Sequence, residues 1–315
     1  MNKVFCLGEL LIDFISLDTG KSIKDSSKFE KKAGGAPANV TAAIAKLGGR
    51  ASFLGQVGND SFGDFLIETL KEVKVDTSKT KKAGSTTLAF VAIDDDGERD
   101  FEFIRGSDKD YSFENIDLKE ITSKDIIHFG SATAFLNGNL EDAYFKLLDW
   151  ANKNNVYTSF DPNYRDLLIL DDKIEEFIKN CKYFIKNTNF TKMSLEELEL
   201  ITKTKDVNEG LDLLHQWGGE VVVITMGAQG SLLSFKDKRK MVNTIKVVQK
   251  DATGAGDAFV GAVLLKLSKL DNKENLSFDD WQEFVYYGNL VGAITCTDYG
   301  AIASMPSKGF EKKLK

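Results

Sequence analysis

The sequence predicts an α/β fold in which a central, mostly parallel sheet is covered by helices on both faces and carries a small β-sheet lid. Three observations lead there. Strand-like and helix-like segments alternate along most of the chain, and repeated strand–helix units build parallel sheets flanked by helices. The run VVVIT at 221–225 is wholly apolar and β-branched, the composition of a strand buried on both faces. The alternation then breaks twice, at about 9–33 and 85–106, where the chain reads as extended without an intervening helix.

The elements follow in order. Residues 3–7 read as a strand, and Ala36–Leu47 as a helix with Pro37 in its first turn and Gly48-Gly49 past its end. A strand over Ala51–Val57 and a helix over Phe62–Val73 come next. After the second break stand the strand-like IIHFGSA, a helix over Leu140–Lys153, the strand VYTSFD and a short strand-like YFIKN at 183–187. Helices are expected around Leu195–Thr202 and Asn208–Trp217, ahead of VVVIT. In the two breaks, ISLDTG and FEKKAGG look extended, and TTLAFVAIDDDGERDFEFI is two extended runs joined by an acidic turn ending in Gly97, a hairpin pattern. Together they are expected to form one lid sheet over a single domain spanning 1–315. The final GFEKKLK reads as a solvated tail.

Composition narrows the function. A chain of 315 residues, 42% hydrophobic and 28% charged, can bury a sizeable core. Its formal net charge of −7 argues against nucleic acid as a partner. The three cysteines, Cys6, Cys181 and Cys296, form no CxxC or Cys/His cluster, which argues against zinc. Cys6 and Cys296 sit in apolar runs and read as buried thiols, which suits a reducing cytoplasm. No signal-peptide pattern opens the chain and no apolar stretch is long enough to span a bilayer, so no membrane partner is expected. His128 and His215 lie in strand-like and helix-like runs and are expected to be structural.

The strongest chemical signal is DATGAGDAFVGAVLLKL at 251–267. Small residues at Thr253, Gly254, Ala255 and Gly256 run straight into an expected amphipathic helix. A helix N-terminus presents free N–H groups and a positive dipole end, which together suit an anion such as a transferring phosphoryl group. Asp257, in the first turn, can take a proton from an attacking hydroxyl. The competing reading is that Asp257 merely caps the helix.

That string resembles a signature of the ribokinase-like (PfkB) carbohydrate kinases. A second stretch, KKAGGAPANVTAAIAKLGG at 31–49, resembles the family's other signature. GQVGNDSFG at 55–63 and VITMGAQGSLL at 223–233 extend the likeness across nearly the whole chain. The resemblance implies a ribokinase-like three-layer α/β/α domain and ATP-dependent phosphorylation of a primary hydroxyl on a free sugar. Within the family, GELLIDF, FEFIRGSDKD, FDPNYRDLL and KMSLEELE are similar to fructokinase segments, which implies fructose as the acceptor.

Carried over position by position, the resemblance implies Asp257 as base and Gly254, Ala255 and Gly256 as anion hole. Asp13, Gly34, Gly35 and Asn39 match the sugar site, with Phe103 and Arg105 on the lid and Arg165 at the sugar-side rim. A structural alternative for Arg165 is an ion pair with Asp161 or Asp166. Lys192, Ser194, Glu197, Thr225, Gly227, Gly230 and Asn289 match the nucleotide side. Ser194 stands where ribokinases have Asn, and Glu197 at the acidic position that helps order magnesium and phosphate. Asp251, Thr253, Gly300 and Ser304 match the potassium site of those members that have one. Magnesium is expected on the nucleotide phosphates and water rather than in a protein cage. Two other readings stay open: a 2-keto-3-deoxygluconate kinase, with Arg105 and Arg165 on the substrate carboxylate, and a catalytically silent sugar sensor. The exposed edge of a lid sheet is a pairing surface, so a homodimer through the lid is expected.

Overall fold

The computed structural model describes residues 1–93 and 99–313. Its elements are β1 (Lys3–Leu7), β2 (Leu11–Ser16), β3 (Phe29–Gly34), α1 (Ala36–Lys46), β4 (Arg50–Val57), α2 (Ser61–Glu72), β5 (Thr80–Lys82), β6 (Leu88–Ile93), β7 (Arg99–Ile104) and β8 (Ile126–Phe129). They continue with α3 (Asn139–Lys153), β9 (Tyr157–Phe160), α4 (Ile174–Asn187), β10 (Phe190–Ser194), α5 (Leu195–Thr202), α6 (Val207–Gln216), β11 (Val221–Thr225), β12 (Ser231–Phe235), β13 (Lys238–Val242), α7 (Ala255–Ser268), α8 (Phe278–Thr295) and α9 (Ala301–Ser304).

The main sheet runs β13-β12-β11-β10-β9-β8-β1-β4-β5. Strands β11 through β5 are parallel, and β12 and β13 turn antiparallel at one edge. Alternate side chains feed two cores. Val4, Cys6, Val221 and Val223 face α1, α2, α7 and α8, whereas Phe5, Leu7, Val222 and Ile224 face α3 to α6. That period of two is the strand geometry at work, and the result is the expected three-layer arrangement. The first strand lies inside the sheet, with β4 on one side and β8 on the other, so the strand order reverses there. In open parallel sheets such a switch point, beyond the carboxyl ends of the strands, is where ligands bind.

The second sheet has the order β3-β2-β6-β7 and is the expected lid. The residues of the acidic turn that joins β6 to β7 lie outside those described. Register places Lys32, Asp13, Ala89 and Phe103 side by side across the four strands, hence on one face. The opposite face carries Phe14 stacked on Phe90 at 5.0 Å, and Phe14 meets Phe62 of α2 edge-on at 5.6 Å.

Four expectations need correction. YFIKN is the last part of α4, not a strand: Phe177, Ile178, Cys181, Phe184 and Ile185 are buried at helical spacing. A five-residue window was too short to show that period, and the strand there is Phe190–Ser194. Helix α7 is not amphipathic, because α1 and α8 pack on either side of it and nearly every residue after its first two is buried. Cys296 is only half-buried, unlike Cys6 and Cys181. The tail is not wholly solvated: Phe310 is buried and its ring lies 6.3 Å from that of Tyr287. Both histidines take structural places. His215 is bonded at both ring nitrogens, to the Gly219 carbonyl and Ser234, and buried His128 bonds Ser159 at 2.8 Å.

Candidate active site

Helix α7 begins at Gly254, whose φ of +76° suits glycine. A Cβ at Gly254 would also stand 2.6 Å from the Cβ of Ala301. No side chain caps the helix, so its first turn is open to a ligand. Ala255 turns its N–H back to the Ala252 carbonyl at 3.1 Å, which leaves Gly256 and Asp257 at the head of the helix.

Asp257 does not cap that helix. Its buried carboxylate accepts a hydrogen bond from Asn39 Nδ2 at 2.8 Å, across 218 positions of sequence. Burial raises its pKa, with the Asn39 bond and the charges of Arg165 and Lys192 opposing. Because an ionised carboxylate can only accept, Asn39 must turn its amide nitrogen to Asp257. Its Oδ1 is then buried without a protein partner. A buried acceptor left open beside a carboxylate is set for a substrate hydroxyl.

The lid supplies the facing wall. Asp13 sits on β2, and its carboxyl is pushed up to about 6 by burial, with Arg165 pulling the other way. A Cβ on Gly34 would collide with that carboxyl, so glycine is what lets Asp13 lie against the backbone there. Gly35, at φ +107°, could carry a Cβ only 2.5 Å from the Glu9 carbonyl. Arg165 is exposed, donates to the Tyr164 carbonyl at 2.9 Å, and forms no ion pair among the described residues. Its positive charge lowers the pKa of both Asp13 and Asp257, against the effect of burial. Phe103 lies half-buried on the same lid face as Asp13. Arg105 is spent otherwise: its guanidinium donates to the carbonyls of Thr133, Leu136 and Asn137, and its Nε lies 3.4 Å from Asp108.

Lys192, within β10, pairs at 2.9 Å with Asp161, the residue just past β9, and both are nearly buried. Ser194 and Glu197 form the capping box of α5, and Glu197 also accepts from Tyr164 N–H at 2.8 Å. Thr225 ends β11, and Gly227 and Gly230 shape the turn into β12 at φ +55° and +94°. Asn289 is used by the frame, bonding Ser231 Oγ at 2.6 Å and the Val242 carbonyl at 2.8 Å. The four residues matched to a potassium site do come together. Asp251 accepts from Thr253 and from Gly300 N–H, and Ser304 donates to the Gly300 carbonyl.

Three buried acids escaped the sequence reading as site residues. Glu9 binds the Ala36 N–H at the head of α1 and the Ser131 hydroxyl, and burial lifts its carboxyl to about 7. Asp108 gathers Thr87, Thr133 and Arg105 where the lid rejoins the domain. Asp161 holds Lys192. Each stands just past a strand end or a lid crossing, which is the one signal that could have found it.

Comparison with known proteins places this geometry. A model of the pfkB family carbohydrate kinases matches residues 1–308, and the chain belongs to that family. Fructokinase-2 of Zea mays is 36% identical over 97% of this chain and 92% of its own length. A fructokinase from Vibrio cholerae O395, solved with fructose, ADP and calcium, superposes with a TM-score of 0.85 at 30% identity, covering 97% of this chain and 96% of that one. A fructokinase from Xylella fastidiosa with bound ATP gives 0.87 at 28% identity, covering 99% of each. This protein is a sugar kinase with the ribokinase-like fold.

Proposed function

We propose that this member of the pfkB family transfers the γ-phosphoryl group of ATP to the C6 hydroxyl of fructose, with Asp257 as general base. One observation carries the reading. A buried carboxylate stands in the first turn of the uncapped helix α7 and is hydrogen-bonded to Asn39, whose buried Oδ1 has no protein partner. The acceptor hydroxyl binds against Asn39 and Asp13 and gives its proton to Asp257. The N–H groups of Gly256 and Asp257 receive the charge on the transferring group. The lid, carrying Asp13 and Phe103, excludes water that would compete as acceptor.

Fructose is preferred because the relatives and structural neighbours above are fructokinases. A 2-keto-3-deoxygluconate kinase would use Arg105 and Arg165 to hold a carboxylate. Arg105 already serves three backbone carbonyls, which disfavours that acceptor. The sensor reading is disfavoured by an intact base at an uncapped helix end.

Magnesium would bind the nucleotide phosphates and neutralise their charge, ordered through water by Glu197. No group of three or more His, Cys, Asp or Glu suited to a metal occurs among the described residues. The Asp251–Gly300 loop fits a monovalent cation and would place it next to the anion hole. We also place the protein in the cytoplasm, and a homodimer contact along the lid's edge strands β3 and β7; sedimentation showing only monomer would remove the latter. No helix among the described residues is long and apolar enough to cross a membrane.

The test is ADP release from ATP and magnesium across free sugars and sugar acids, with potassium or an inert cation. Fructose should give the highest specificity constant. Preference for a sugar acid would overturn the assignment, and equal rates in both salts would overturn the potassium site.

A further inference from the structure

The resemblance puts Lys192 on the nucleotide side of the cleft, but its position is more specific than that. It projects from the middle of the five-residue strand β10, with its ammonium 2.9 Å from Asp161 Oδ2 and the two side chains 9% and 4% exposed. The ammonium also lies 3.2 Å from where a Cβ on Gly256 would stand. Since Gly256 has no side chain, the charge faces the backbone at the head of α7 directly. An ammonium carries three donors, and among the described residues Asp161 is the acceptor the structure gives it. A buried cation with donors to spare, flanking an uncapped helix N-terminus, is completed by an anion seated on that terminus.

We propose that Lys192 is a catalytic residue of the transfer. Its ammonium contacts the phosphoryl group seated against the N–H groups of Gly256 and Asp257, and Asp161 is the positioning residue that holds it there. This deepens the kinase reading of the α7 terminus and rests on it. In the step, a bond forms from the acceptor oxygen to the γ-phosphorus, and the bond from that phosphorus to the bridging oxygen breaks. The bonding pair leaves with ADP, and the hydroxyl proton passes to Asp257. Lys192 donates hydrogen bonds throughout and transfers no proton. Burial alone would lower its pKa, but the charges of Asp161 and Glu197 outweigh burial and keep it protonated. The contact strengthens as charge shifts during transfer, so its loss should appear in kcat rather than in KM.

The competing role is a strut joining the ends of β9 and β10. The experiment compares wild type, Lys192→Met, Lys192→Arg and the double variant Lys192→Met with Asp161→Asn, by melting temperature, kcat, and KM for fructose and for ATP. The single Met variant strands a buried carboxylate and should lose stability. The double variant removes both charges and should regain it. We expect the double variant to keep a kcat about 10²–10³-fold below wild type, a loss typical of one transition-state donor, with both KM values within about threefold. Lys192→Arg should recover part of the loss. A double variant restored to wild-type kcat together with its stability would show a strut and overturn the inference. Wild type inactive on every acceptor would instead overturn the kinase reading, so the two failures are distinguishable.

Discussion

Replacing Asp257 by Asn separates chemistry from architecture more cleanly than any other change at this site. The substitution keeps the shape of the side chain. Its remaining oxygen can still accept from Asn39 Nδ2, which donates to the Asp257 carboxylate at 2.8 Å. What disappears is the group that takes the acceptor's proton. General-base contributions run about 10²–10⁴-fold, or about 3–5 kcal/mol of barrier, and kcat should fall by that amount. Stability should move the other way. Burial raises the pKa of Asp257, so near neutral pH the folded state bears a desolvated charge that the unfolded chain does not. The neutral amide removes that cost, and Tm should hold or rise. The acid limb of kcat set by Asp257 should vanish from whatever activity remains. The assay is ADP release with fructose, beside a thermal melt. A kcat within tenfold of wild type would refute the base assignment. A low kcat accompanied by a fall in Tm would mean that Asp257 acts through the fold.

Other consequences follow from the same geometry. Burial lifts Asp13 to about 6, so its carboxyl is ionised above that pH and protonated below it. Fructose affinity by calorimetry should be level above about pH 6 and weaken as pH falls through it, and the change should be absent in Asp13→Asn; constant affinity from pH 8 to 5 would remove Asp13 from the sugar site. Gly254→Ala forces a residue with a Cβ to φ +76° and against Ala301, at a cost of about 1–2 kcal/mol for the conformation alone. Tm and kcat should fall together, and adding Ala301→Gly should relieve the clash but not the backbone cost. Arg105→Met removes the donors that hold the Thr133, Leu136 and Asn137 carbonyls. The loss should be about 2–4 kcal/mol of stability, with a raised KM for fructose and faster proteolysis of the lid; unchanged Tm with lost activity on sugar acids alone would restore Arg105 to substrate recognition.

The sequence by itself determined the parts whose signal is local. The short, largely apolar runs of β1, β4 and β11 are readable in a few residues, because strands buried on both faces need apolar side chains throughout. The small residues before Asp257 are readable too, since a helix start and an anion site need the same short chemistry. Asp257 could therefore be named from its own segment, and Asn39 and Gly34 from the family resemblance of theirs. The hairpin over β6 and β7 was legible for the same reason. Signals spread along a long helix were harder to see: the last five residues of α4 were mistaken for a strand, and α8 went unassigned.

Only the tertiary structure decided which of those residues meet. Asn39 and Asp257 lie 218 positions apart and share a hydrogen bond because α1 and α7 pack side by side. Asp161 and Lys192 come together because β9 and β10 are parallel neighbours whose ends open on one cleft. Nothing in either segment announces the other. The same holds for Arg105, whose motif gave a charge near the sugar, whereas the fold spends that charge on three carbonyls of another loop. Residue type sets what a side chain can donate or accept, and the packing of distant segments sets which partner it finds.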